Sequence, residues 1–214
     1  MFKRLTIARP MAAASLTPVP ALSQQSAPLS RIAFASCADQ AKPQPIWEAI
    51  QAYRPELFIF AGDNVYGDFK TAEAGNLRHA YDTAALIPGY AKLRDTVPHL
   101  AIWDDHDYGS NDGGVEFPHK AVAKEEFLRF WNVPPDDVRR TREGIYTAQT
   151  FGPPGGRVQV ILLDVRWFRS PLRITDQRGA PGKERYLPDP SPDKTMMGDT
   201  QWVSLAPELR KPAH

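Results

Sequence analysis

The residues best equipped for chemistry lie in three short strings. They are Ser36-Cys37-Ala38, Gly62-Asp63-Asn64-Val65-Tyr66-Gly67-Asp68 and Trp103-Asp104-Asp105-His106-Asp107-Tyr108-Gly109. A thiolate, carboxylates, a phenolate and an imidazole gathered in one place form a set of metal ligands. Asp63 follows a glycine, which leaves the backbone free to turn and bring a carboxylate close to a cation. Tyr66 stands one turn further on. Its phenol has a free pKa of about 10 and needs a strongly Lewis-acidic metal to lose its proton near neutrality. A Cys–Tyr–Asp set suits ferric iron better than calcium alone. Asp104, Asp105 and Asp107 surround His106, and acids so close repel one another unless a cation neutralises them. His106 has two roles open to it, metal ligand or general acid to a leaving alkoxide.

Each residue also has a plainer reading. Cys37 is the chain's single cysteine, and a lone cysteine commonly packs as a small buried hydrophobe. Asp63 could be a turn residue, Tyr66 a core edge, and the three acids a solvated turn. Placement favours chemistry. Each string directly follows an apolar run of strand character: Arg31–Cys37, Leu57–Ala61 and Val97–Trp103. In open α/β sheets, ligands bind outside the carboxyl ends of the strands. Three such strands would carry Cys37, Asp63, Tyr66, Asp105, His106 and Asp107 to one edge. Arg166 ends a further apolar run and either clamps a phosphate or pairs with Asp164. Asn111, in a glycine-rich loop, either donates to a phosphate oxygen or makes a turn. His79, His99 and His119 lack such company and read as surface or core-edge residues.

The elements that must position these side chains follow from the hydrophobic pattern. Pro43–Arg54 reads as a helix with Ile46, Trp47, Ile50 and Tyr53 on its inner face. Residues 71–86 read as a second helix carrying Leu77, Tyr81 and Ala84, broken at Pro88-Gly89. Lys120–Trp131 is a helix with Ala123, Phe127, Phe130 and Trp131 inward. Ile145–Phe151 and Arg157–Phe168 form a hairpin through a Gly/Pro-rich connection. Residues 170–198 read as a long loop, and Thr200 caps a last helix with Trp202, Leu205 and Leu209 inward. Strand–helix alternation predicts a mainly parallel sheet with helices on its faces.

The 214 residues fit one domain with a proper core. A net charge of +1, with Lys and Arg dispersed, argues against a dedicated nucleic-acid surface. No run approaches the ~20 apolar residues of a membrane helix. Residues 1–25 have a basic start at Lys3-Arg4, no acids from 5 to 23 and a small-x-small site at Ala21-Leu22-Ser23. They read as an export signal to the periplasm or beyond, the alternative being a disordered leader on a cytoplasmic protein.

Taken together and in order, SerCysAla, GlyAspAsnValTyr, TrpAspAspHisAsp, LeuLeuAspValArgTrpPheArg and GlyAspThrGlnTrp resemble the PhoD-like, alkaline phosphatase D branch of the metallophosphatases. The resemblance runs from about Arg31 to the C-terminus. It implies a four-layer α/β sandwich around a multinuclear centre of ferric iron and calcium, with room for other divalent metals. It implies that Cys37 and Tyr66 bind iron, that Asp63 bridges the metals, and that Asp105 replaces the asparagine of the usual AsnHis pair. His106 would then assist the leaving group of a small phosphate ester while a metal-bound hydroxide attacks phosphorus in line. The family's later Gly-Asp-x-His string does not follow Arg166, since Gly198-Asp199-Thr200-Gln201 differs at its fourth residue. The founding members' twin-arginine signal is replaced by Lys3-Arg4. The expectation is the N-terminal part of such a domain over residues 30–214, lacking the C-terminal strands. The alternative to an active hydrolase is a truncated relative that at most binds metal. A different esterase class using Cys37 as nucleophile lacks a plausible partner histidine.

Overall fold

A computed structural model describes residues 27–212. The leader read at residues 1–25 lies outside the described residues. Three short strands, β1 (Ile32–Ala35), β2 (Leu57–Ala61) and β3 (His99–Ile102), form a parallel sheet in the order β1-β2-β3. Parallel strands need crossovers, and here these are helical. α1 (Ile46–Tyr53) joins the first pair; α2 (Gly75–Ala84) and α3 (Pro88–Thr96) join the second. A one-turn helix, α4 (Asp105–Tyr108), follows β3 directly, and α5 (Lys120–Phe130) packs behind it. β4 (Thr147–Phe151) and β5 (Val158–Leu162) form a separate antiparallel hairpin. The long loop follows, holding only an isolated Ile174–Tyr186 bridge, and α6 (Gly198–Leu209) ends the described chain. The architecture is mixed α/β, as the alternation predicts.

The core is built on aromatics. Trp47, Phe58, Phe60, Tyr90 and Trp131 interlock beneath the sheet, with Trp47 edge-on to Tyr90 at 5.2 Å. Edge-to-face geometry of this kind suits the ring quadrupoles. Gly89 lets α3 lie against α1, because a Cβ there would fall 2.5 Å from Trp47 Cβ. Leu77, Tyr81 and Ala84 are buried as expected, and so are Ala123, Phe127, Phe130 and Trp131.

Three sequence readings are corrected. Only Trp47 of α1 is buried, while Ile46 and Tyr53 are exposed. The helix starts later than expected and touches its neighbours along a narrower strip. Residues 88–96 are not a break but a helix, with Pro88 in the first turn, where its missing N–H costs nothing. In α6, which starts at Gly198 rather than at a Thr200 cap, Trp202 and Leu209 face outward and Gln201 and Leu205 face in.

Gln201 explains why. Its amide spans the backbone of Asp164, accepting from the N–H at 2.7 Å and donating to the carbonyl at 2.8 Å. The fully buried Asp164 carboxylate in turn accepts from Trp103 Nε1, the Ile145 N–H, the Arg166 N–H and the Trp167 N–H, all within 3.0 Å. One carboxylate thus ties the end of β3, the entry to β4 and the turn beyond β5. A buried polar group of this kind is tolerated because both carboxylate oxygens are hydrogen-bonded.

Candidate functional site

The carboxyl ends of the three parallel strands are stitched together by backbone bonds. The Cys37 N–H reaches the Gly62 carbonyl at 3.2 Å, and the Ala38 N–H reaches the Asp63 carbonyl at 2.8 Å. Gly62 is required here. Its φ is +102°, and a Cβ would lie 2.7 Å from Asp104 Cβ. Cys37 and Asp63 themselves have φ of 61° and 47°. Left-handed backbone at non-glycine residues is costly and concentrates at functional sites.

The turn after β3 is clamped by Asp107. Its carboxylate accepts from the Asp104 N–H at 2.7 Å, the Asp63 and Asn64 N–H groups at 3.2 Å, and Asn64 Nδ2 at 2.7 Å. Asp107 and Asp104 also form a capping box on α4. Of the three crowded acids, Asp107 is therefore a brace, Asp104 a cap, and Asp105 is left for the site.

Asp63, Asp105 and His106 each offer a ligand atom, and these atoms lie within 4.8 Å of one another. Asp63 Oδ1 accepts the His106 N–H at 3.1 Å, and Cys37 Sγ lies 3.8 Å from Asp63 Oδ2. The Tyr66 ring lies over the His106 ring, centroids 4.2 Å apart. Five of the six residues expected at one strand edge are thus brought together, while the sixth, Asp107, is buried and spent on the backbone of Asp63, Asn64 and Asp104. Asn111 and Arg166 stand beside them. Arg166 does not pair its guanidinium with Asp164. It reaches Asp104 through Nε at 2.5 Å and Asp105 through Nη2 at 3.6 Å, while Nη1, buried, has no partner among the described residues. Asn111 is exposed, its amide donating to Asp112 Oδ2 at 2.9 Å.

Several positioning residues escaped the sequence reading. Asp68 ends the second string and accepts from His106 Nδ1 at 2.6 Å. Gln40 holds the Tyr66 backbone from both sides, accepting from its N–H and donating to its carbonyl, each at 2.8 Å. The Asp112 N–H donates to Asp105 Oδ2 at 2.6 Å. Its carboxylate takes Tyr186 Oη at 2.7 Å and an Arg185 nitrogen, so the long loop is fastened beside the site. Only Asp68, at a charged position inside a quoted motif, left a signal that could have been used.

The electrostatics fit a cation. Burial, against the pull of the His106 N–H and with the charges of Asp105 and Asp104 added, pushes the Asp63 carboxyl up to about 6. Asp105 is buried too, but the Asp112 N–H and Arg166 outweigh that and hold its carboxyl low. Burial opposes the His106 imidazolium, yet Asp68, Asp63 and Asp105 together raise its pKa. Burial first, then Asp63 and Cys37, hold the Tyr66 phenol above its ordinary range. A phenol so placed needs a strong Lewis acid to ionise, and uncompensated carboxylates beside it invite one.

A pH test follows from Asp63. Its folded pKa lies above the unfolded value of 3.8, so the folded state holds the extra proton. Stability is therefore lost as pH rises from about 4 to about 6. In chelator, Asp63→Asn is expected to melt above the parent near neutral pH, the difference shrinking toward about pH 4. A difference independent of pH would contradict this charge assignment.

No helix among the described residues is long and apolar enough to cross a membrane. No curated protein matches the chain significantly. The solved structure of PhoD superposes with a TM-score of 0.62 at 18% identity, over 89% of this chain and 41% of that one. The likeness concerns the fold, and this chain spans well under half the length of that protein. The family model of the PhoD-like phosphatase matches residues 32–214. With nearly every described residue inside that match, the chain belongs to the PhoD-like phosphatase family.

Proposed function

We propose that the chain carries the metal-binding face of a phosphoester hydrolase acting on small phosphate esters. The observation that carries this reading is the convergence of Asp63 and Asp105, with His106 beside them, at the ends of adjacent parallel strands. Cys37 and Tyr66 complete the donor set, a soft thiolate and a phenolate beside hard carboxylates, which suits ferric iron with calcium or another divalent ion as neighbour. When bound, such ions supply a nucleophile at neutral pH and offset charge on the phosphoryl oxygens.

The chain's own groups do the rest. Arg166 already spends two nitrogens on Asp104 and Asp105, and its unpartnered Nη1 is a donor for a phosphoryl oxygen. His106, held by Asp68, is the proton donor. In the reaction a water oxygen bonds to phosphorus and its displaced proton passes to solvent. The phosphorus–alcohol bond breaks, its electron pair stays on the alcohol oxygen, and His106 gives that oxygen a proton. The test is hydrolysis of p-nitrophenyl phosphate and its diester with ferric iron and calcium added. Hydrolysis that resists chelation would overturn the metal-dependent reading.

A weaker reading has one observation in its favour. Among the described residues the donors suffice for one cation and part of a second, whereas two-metal catalysis needs both ions fixed. Turnover by these 214 residues is therefore expected to be low, and metal binding the more accessible property.

Iron binding has its own signature. A ferric ion held by a phenolate and a thiolate is expected to give a visible charge-transfer band. Tyr66→Phe, which keeps the ring over His106, should remove the phenolate contribution, and Cys37→Ser the thiolate one. Colourless iron-loaded protein, or colour that survives both changes, would show these ligands to be wrongly assigned.

A further inference from the structure

Asp112 stands between the cation cluster and the long loop, and its polar groups are divided between the two. The Asp112 N–H donates to Asp105 Oδ2 at 2.6 Å. Asp105 in turn offers a ligand atom within 4.8 Å of those of Asp63 and His106. On the other side, the Asp112 carbonyl accepts from Arg169 Nη2, at the root of the loop, which also reaches the Gly113 carbonyl at 3.0 Å. The Asp112 carboxylate accepts from Tyr186 Oη at 2.7 Å and from Arg185, with Arg178 at 3.7 Å. Asn111 Nδ2 adds a local donor at 2.9 Å. Asp112 has a φ of 56°. Aspartate visits this left-handed region more readily than most residues, yet the conformation persists only where its surroundings hold it. Here the loop supplies much of that hold.

The loop itself is seated mainly by polar contacts. Ser170 and Thr195 close its base, the Ser170 N–H on the Thr195 carbonyl at 2.9 Å and the Thr195 N–H on Ser170 Oγ at 3.0 Å. Ile174 and Leu187, its large apolar side chains on either side of Tyr186, are exposed. Segments with so little apolar burial open locally at low free energy. We propose that Asp112 is a positioning residue that couples the seating of this loop to metal affinity at Asp105. The inference rests on the metal-binding reading given above. Once Tyr186 and Arg185 let go, the Asp112 backbone is free to leave its left-handed conformation and withdraw its N–H from Asp105 Oδ2. The Asp105 carboxylate then loses its orientation, because Arg166 Nη2, at 3.6 Å from Oδ1, is too far to fix it by a hydrogen bond. Partners that orient a ligating side chain contribute strongly to metal affinity.

The experiment combines Arg185→Gln with Tyr186→Phe, two changes that leave Asp112 and the cation cluster untouched. Manganese(II) affinity is read from the paramagnetic resonance of the free ion. Loop seating is read from trypsin cleavage after Arg178 and Lys183, both exposed. In the double variant cleavage should be faster and manganese affinity about fivefold weaker, the loop acting through Asp112 rather than on the metal ligand itself. Arg185→Lys, which keeps a cation on Asp112, should retain the parent affinity. Coupling between two equilibria is reciprocal, so saturating manganese should slow cleavage of the wild-type loop by about the same factor. That arm needs no variant and decides the question even if the double variant fails to fold. Faster cleavage with manganese affinity unchanged or raised, or wild-type cleavage indifferent to manganese, would overturn the coupling and keep the metal-binding reading. Wild-type protein that takes up no manganese would overturn both.

Discussion

Replacing His106 by glutamine is expected to slow hydrolysis of alkyl phosphate esters by about 10²–10⁴-fold while metal stays bound. Esters of good leaving groups, whose oxyanions need no proton, should be slowed far less. The argument is geometric. His106 Nδ1 is committed to Asp68 at 2.6 Å, and the ring is sandwiched against Tyr66. Asp68 holds the imidazole in one orientation and favours its charged form, so Asp68→Asn should move the acidic form's titration to lower pH. The slowing is measured with a series of esters of graded leaving-group acidity, under whatever cation loading gives measurable turnover. Equal slowing across the series would remove the proton-donor role. Loss of metal in His106→Gln would make His106 a ligand instead.

The largest effect on stability is expected at Asp164. Alanine there strands four donors, Trp103 Nε1 and the N–H groups of Ile145 and Trp167, all buried, and the half-buried Arg166 N–H. Leaving buried groups unpaired costs about 1–3 kcal/mol each, and breaking a buried charged network about 3–5 kcal/mol in all. Set against the ~5–15 kcal/mol of a typical domain, Asp164→Ala should be largely unfolded or close to it. Asp164→Asn is milder. Its amide oxygen can still serve the three donors on Oδ1, and only the Ile145 N–H, on Oδ2, meets an NH₂ group. A loss of roughly 1–3 kcal/mol is expected. Urea unfolding followed by fluorescence reads both, and a loss below about 1 kcal/mol for the alanine variant would contradict the role assigned to this carboxylate.

How much of this was legible in the sequence depends on the kind of contact. The three strand ends were legible because apolar runs and the chemical strings after them are local signals, and a parallel sheet follows from the alternation of strands and helices, whereas its order β1-β2-β3 is seen only in the structure. The convergence of Asp63, Asp105 and His106 came with them. The inner faces of α1 and α6 were misread at Ile46, Tyr53, Trp202 and Leu209, since apolar character alone does not say which strip a neighbour covers. Buried Gln201 sets the face of α6 instead, and its partner Asp164 lies 37 residues away. The same holds for Gln40 beneath Tyr66 and for Asp112 beneath Asp105. Such polar braces have no periodicity, and their partners are defined only once the chain has folded. Within TrpAspAspHisAsp, three chemically identical acids divide into cap, ligand candidate and brace by backbone geometry alone.

The central claim is that Asp63 and Asp105 hold a metal ion. Its most direct test is elemental analysis of the protein after loading with iron and calcium and exhaustive dialysis. The wild-type chain should retain metal stoichiometrically, and Asp63→Asn and Asp105→Asn should lose it, while Asp95→Asn, exposed at the end of α3 before β3 begins, should match the wild type. Retention unchanged in both Asp63→Asn and Asp105→Asn, or no retention by the wild-type chain, would contradict the account.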